Sequence, residues 1–159
     1  MVIGNLVAGI VGDWMFKKTK RGRAMFGAIV VLFSAILIYP VIRARTVEEF
    51  IFFTILTAFV IPMAGPNVTA TITDVTEPEL RSSANGYLRF FENLGSAASP
   101  YLSGLLAESI GLGEAILWIS FSTWLLCFVL FSILAITIPR DIDRLRGLMR
   151  ERAEKLKDG

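Results

Sequence analysis

Three stretches of this chain carry no charged residue for far longer than a soluble fold can use: Ala24 to Ile42, Phe50 to Thr73 and Ala115 to Ile138, of 19, 24 and 24 residues. As helices rising 1.5 Å per residue, each crosses roughly 30 Å of hydrocarbon. Their solvent is therefore bilayer, in keeping with a composition that is 54% hydrophobic and a mean hydropathy of +0.62. The expected class is an all-α integral membrane protein, a multi-span helix bundle. Ser82 to Ala107 is long enough for a fourth span, although Arg89 and Glu92 lie within it. Met1 to Phe16 measures only about 24 Å as a helix, so the chain reads as starting inside a membrane helix. The bundle is thus expected over residues 1–138, with a partial helix at 1–16 and spans at 24–42, 50–73, 82–107 and 115–138.

Loop charge predicts orientation. Lys17, Lys18, Lys20, Arg21 and Arg23 share one connection, and seven Lys or Arg follow Pro139. The opposite connections hold Arg43 and Arg45 in one case and no Lys or Arg in the other. The basic ends are the cytoplasmic ones. Residues 139–159 place Ile142, Leu145, Met149 and Leu156 at helical spacing among arginines and lysines, which predicts a basic amphipathic tail helix on the inner membrane surface. The expected partner is the lipid bilayer and not a nucleic acid.

Polarity sorts the spans. Those from Ala24 and Ala115 are apolar nearly all round and are expected to face lipid. In the span from Phe50, Pro62, Pro66, Thr69 and Thr73 share one face, and two prolines four residues apart loosen its hydrogen bonding, which suits a helix inside the bundle. In the span from Ser82, residues Asn85, Arg89, Glu92, Ser96, Ser99 and Ser103 fall in a sector of roughly 80°. Glu92 lies about 15 Å from the inner end, and Arg89 is one turn away. Charges at that depth need a partner, water or another polar helix. A packing role for the pair and a role toward substrate or a coupling proton both fit the spacing.

Catalytic chemistry has little to work with. The chain has no His, and no HExxH or GxSxG occurs, so no cofactor or metal site is expected and no enzyme is predicted. The single cysteine, Cys127, sits in an apolar run and reads as an inert thiol.

Two sets of motifs carry a family resemblance. Gly9-Ile-Val-Gly-Asp13 followed by Arg21-Gly22-Arg23 resembles the cytoplasmic loop motif of the major facilitator superfamily, with the second Gly nine residues after the Asp where the family usually has three. Asp74-Val-Thr-Glu-Pro78-Glu-Leu-Arg81-Ser-Ser-Ala84 and Asn93-Leu-Gly95-Ser-Ala-Ala-Ser-Pro100-Tyr-Leu-Ser-Gly104 resemble that family's tenth-to-eleventh connection and eleventh helix. The order of spans resembles a partial eighth helix followed by the ninth to twelfth. Assignment to helices two to six is the alternative.

The resemblance implies the C-terminal part of a secondary active transporter that exposes a midplane site alternately to each side of a cell membrane, with its C-terminus cytoplasmic. It implies a missing N-terminal half as partner, a small-molecule solute, and no transport by the chain alone. Gly9, Asp13, Arg21, Gly22 and Arg23 would take the cytoplasmic gating role. Asn67, Arg89 and Glu92 are the candidate polar groups of the cavity, toward substrate or proton. A different class also fits: a small membrane assembly protein packing a partner helix against the Gly4, Ala8 and Gly12 face.

Overall fold

The computed structural model describes residues 2–155 and Lys157; the side chain of Val2 is not described. The expected helix start at Met1, and Leu156, Asp158 and Gly159 of the tail, lie outside the described residues. The described residues form helices joined by short turns, with no strand among them. The helices are α1 (Val2–Lys18), α2 (Gly22–Arg43), α3 (Val47–Val60), α4 (Ala64–Val75), α5 (Arg81–Ile110) and α6 (Leu112–Lys155). Gly22–Arg43, the composite Val47–Val75 and Leu112–Lys155 are long and apolar enough to cross a membrane. Helix α5 has 30 residues, about 45 Å, but its polar stripe dilutes its hydropathy.

Local chemistry places the breaks. Thr46 caps α3, its Oγ1 accepting the Glu49 backbone N–H at 3.2 Å, while the Glu49 carboxylate accepts the Arg45 N–H at 3.0 Å. Glu48 and Glu49 occupy the first turn, where acidic groups suit the positive helix end. Pro62 and Pro66 cannot donate backbone hydrogen bonds, and the expected loosening takes the form of a 3-10 turn at Ile61–Met63 between α3 and α4. Gly111 ends α5 at φ +84° and alone separates it from α6. Both helices therefore run further into that connection than the charges Glu108 and Glu114 suggest.

The core sits where α1, α2 and the α3–α4 span meet. Ala8, Val30, Leu37, Val60 and Met63 are buried there, with Val7, Phe26, Phe53, Leu56 and Ala64 packed around them. Small residues permit close approach: a Cβ on Gly4 would stand 2.5 Å from the Phe59 carbonyl oxygen, and one on Gly12 would overlap the Asn67 amide. The Gly4, Ala8 and Gly12 face is therefore occupied within the chain itself.

Helix α2 departs from its expected lipid-facing role. Ten of its residues are buried, among them Ala24, Gly27, Ala28, Ser34 and Ala35, while Met25, Ile29, Phe33 and Ile36 on its other side are exposed. Gly27 lets the Phe131 ring of α6 approach, with 2.6 Å between that ring and a would-be Cβ. All-round apolarity does not distinguish a lipid-facing side from a helix-facing one, because hydrocarbon tails and aliphatic side chains are equivalent solvents. Helix α6 is largely exposed, as a lipid-facing helix is. Helix α5, whose stripe was expected to face a cavity or another polar helix, has no buried residue in this chain.

Candidate functional site

Two polar arrangements stand out, one at the basic end of the bundle and one along α5. At the basic end, α1 turns into α2 through residues 19–21, with the Thr19 N–H donating to the Met15 carbonyl and the Gly22 N–H to the Thr19 carbonyl, both at 2.9 Å. Gly22 is required by this packing, since a Cβ there would run into the backbone of Met15 and Phe16. The close approach puts Arg23, in the first turn of α2, against the end of α1. Its guanidinium lies over the Phe16 ring at 4.3 Å, donates through Nη2 to Asp13 at 2.5 Å, and donates through Nη1 to Asp74 in the last turn of α4. One arginine thus joins three helices. Its side chain is only 15% exposed and Asp74 is 24% exposed, so that pair is largely shielded from water, whereas Asp13, at 59%, meets the guanidinium from the solvent side.

Of the residues expected at this motif, Asp13, Gly22 and Arg23 come together. Arg21 is exposed and borders a crevice with Ser132, Ala135 and Ile136 of α6, and nothing lies within 4 Å of a Cβ built on Gly9. The sequence reasoning did not pair Asp74 with Arg23. The available signal was the order of the predicted spans, which places Asp74 at the same end of the bundle as the basic turn.

The second arrangement is a cavity of about 580 Å³ between α1, the α3–α4 span and α5. Pro62, Gly65, Pro66, Thr69 and Thr73 form one wall, Asn5 contributes from α1, and Arg89 and Glu92 form the α5 wall. The proline and threonine face predicted from spacing is therefore the face that lines the cavity. Arg89 Nη1 donates to Glu92 Oε2 at 2.7 Å, and both side chains remain substantially exposed to the opening. The Thr73 hydroxyl donates to the Thr69 carbonyl at 3.0 Å and keeps its lone pairs available.

Asn67 stands elsewhere. It is buried between α1 and α4, where its amide nitrogen donates to the Met63 carbonyl at 3.0 Å and lies 3.4 Å from the Ala8 carbonyl. The Asn67 side chain is directed at Gly12 of α1, so on the α3–α4 wall Thr69 and Thr73 supply the cavity's polar groups.

The model of the Major Facilitator Superfamily matches residues 1–157. The chain belongs to the major facilitator superfamily. It is a multi-pass membrane protein of a transporter family. Among curated relatives, the hexuronate transporter of Bacillus subtilis (strain 168) is 29% identical over 114 residues, a match that covers 69% of this chain and 27% of that protein. No solved structure matches this major facilitator chain. Membership gives the Arg23 junction and the α5 cavity a common setting, since both belong to one helix bundle of a transporter fold.

Proposed function

We propose that this chain supplies part of an alternating-access solute transporter in the cell membrane, with its basic ends cytoplasmic, and that the α5 cavity is one wall of the solute path. The observation that carries this is the polar stripe of α5. An Arg–Glu pair and three serines on a helix that spans a bilayer need water or a polar surface opposite them. Here the pair opens onto a cavity whose other wall is uncharged. The remaining wall belongs to the rest of the transporter, in keeping with a match that covers 27% of the hexuronate transporter.

Arg89 is the binding group for an anionic or hydroxylated solute, and Glu92 is the group that competes for it or carries a coupling proton. A sugar acid is the first solute to test, on the strength of the relative's name. Asp13, Arg23 and Asp74 form the cytoplasmic gate, with Gly22 as the close-packed turn that seats the arginine. Opening on that side separates at least one carboxylate from the guanidinium.

Reconstitution into liposomes tests the proposal. The chain alone is expected to give no solute uptake above empty vesicles, because one wall cannot alternate between two sides. The chain joined to a seven-helix N-terminal portion is expected to restore uptake, with Arg89→Ala abolishing it and Glu92→Gln removing its pH dependence. Uptake by the isolated chain, or full uptake by the Arg89→Ala transporter, would overturn it.

A further inference from the structure

Helix α6 does not end where a membrane span ends. It continues through Pro139 to Lys155 as one helix, so the last 17 residues add about 25 Å beyond the span. This extension is packed against protein. Ile142 and Leu145, expected from the periodicity to touch lipid, are 2% and 9% exposed. Leu145 and Leu148 close a cavity of about 290 Å³ together with Val75, the last residue of α4, and Glu77 of the α4–α5 connection. Two sets of ion pairs fix the same segment to two different turns. Asp143 pairs with Lys20 in the α1–α2 turn, and Arg152 reaches Glu77 at 2.6 Å and Glu79 at 3.2 Å in the α4–α5 connection.

Those turns hold the ends of the helices that carry Asp13, Arg23 and Asp74. We propose that residues 139–155 are a cytoplasmic strap that ties the α1–α2 turn to the α4–α5 connection, so that the Arg23 junction cannot open until the strap lets go. Each exposed ion pair is weak alone. The strap gains its hold because buried Ile142 and Leu145 fix the helix between the turns, leaving little ordering entropy for the ion pairs to overcome. Its release point is the Arg152 end, where the contacts are charged and solvent-accessible and the apolar anchors are spent. Release frees the N-terminal end of α5, which has no buried residue. The functional consequence rests on the gating role proposed for Arg23; the mechanical coupling of the two turns does not.

Hydrogen exchange on the full chain in lipid nanodiscs separates the two. In the native sequence, amides of 139–155 and of 77–85 are expected to exchange at matched, slow rates. Arg152→Glu places a carboxylate against Glu77 and Glu79 and is expected to speed exchange in both segments about three- to fivefold. Arg152→Glu with Glu77→Arg is expected to bring both segments back toward the native rate. Raising the salt concentration to about 1 M, where the screening length falls to about 3 Å, should reproduce part of the Arg152→Glu effect in the native sequence. Arg23→Gln is expected to speed exchange at the α1–α2 turn, with the strap itself unchanged, so failure of the gate and failure of the strap are distinguishable. Exchange in 77–85 that ignores Arg152→Glu, or a charge swap that restores nothing, would mean a solvated tail and would overturn the strap.

Discussion

At the residue scale, Arg23 concentrates the most consequence in one side chain. Arg23→Gln leaves Asp13 and Asp74 without their shared cation, and a thermal melt of the chain in detergent is expected to show a loss of about 1–2 kcal/mol. Asp74→Asn keeps the guanidinium paired with Asp13 and should cost about half as much. Equal melting temperatures for Arg23→Gln and the native chain would mean that the junction does not hold the three helix ends together. The residue identities at this end were legible because a carboxylate at a helix end followed by a basic, glycine-containing turn is a compact sequence pattern. Asp74 was not, since its partner is 51 positions away and only the packing of α4 beside α2 brings them within reach. Asn67 illustrates the opposite failure. Its polarity marked it as a cavity group, but an amide can equally satisfy backbone carbonyls between close-packed helices, and spacing does not tell the two apart.

At the scale of elements, the long uncharged runs became the helices they predict, because a helix satisfies a segment's backbone hydrogen bonds within itself where hydrocarbon offers no partner. Ends were set by chemistry visible in the sequence, namely Thr46 with Glu49, the proline pair and Gly111. Gly111→Ala forces a side chain into the positive-φ region and is expected to lower stability by about 1 kcal/mol. Gly104→Ala, inside α5 where a Cβ meets nothing within 4 Å, should leave the chain unchanged or stabilise it by about 0.5–1 kcal/mol. Chemical or thermal melts of the two variants should therefore move in different directions, and a loss at both positions would contradict the assignment of Gly111 as the helix terminator. Which side of an apolar helix meets protein was not legible. Helix α2 buries a face of small residues that hydropathy scores much like its lipid-facing side.

At the scale of the whole molecule, the two polar arrangements lie on a common frame. The core of α1, α2 and the α3–α4 span fixes the Arg23 junction at one end and the proline and threonine wall along its side. Helix α5 leans on that frame with no buried residue, and its stripe is presented to the cavity by the Arg89–Glu92 pair. The tail helix was legible as amphipathic, while its covering by the α1–α2 turn and the α4–α5 connection was not. An apolar stripe signals that something covers it without identifying the cover. The α5 stripe is proposed to face an aqueous solute path. The most direct measurement is labelling of single cysteines along α5 with a membrane-impermeant maleimide, in membranes holding the assembled transporter and in a Cys127→Ala background. Cysteines at Ser96, Ser99 and Ser103 are expected to react and to be protected by transported solute, while cysteines at Leu94 and Leu105, on the opposite side of the helix, stay unreactive. Equal labelling of both faces, or reaction only at Leu94 and Leu105, would contradict it.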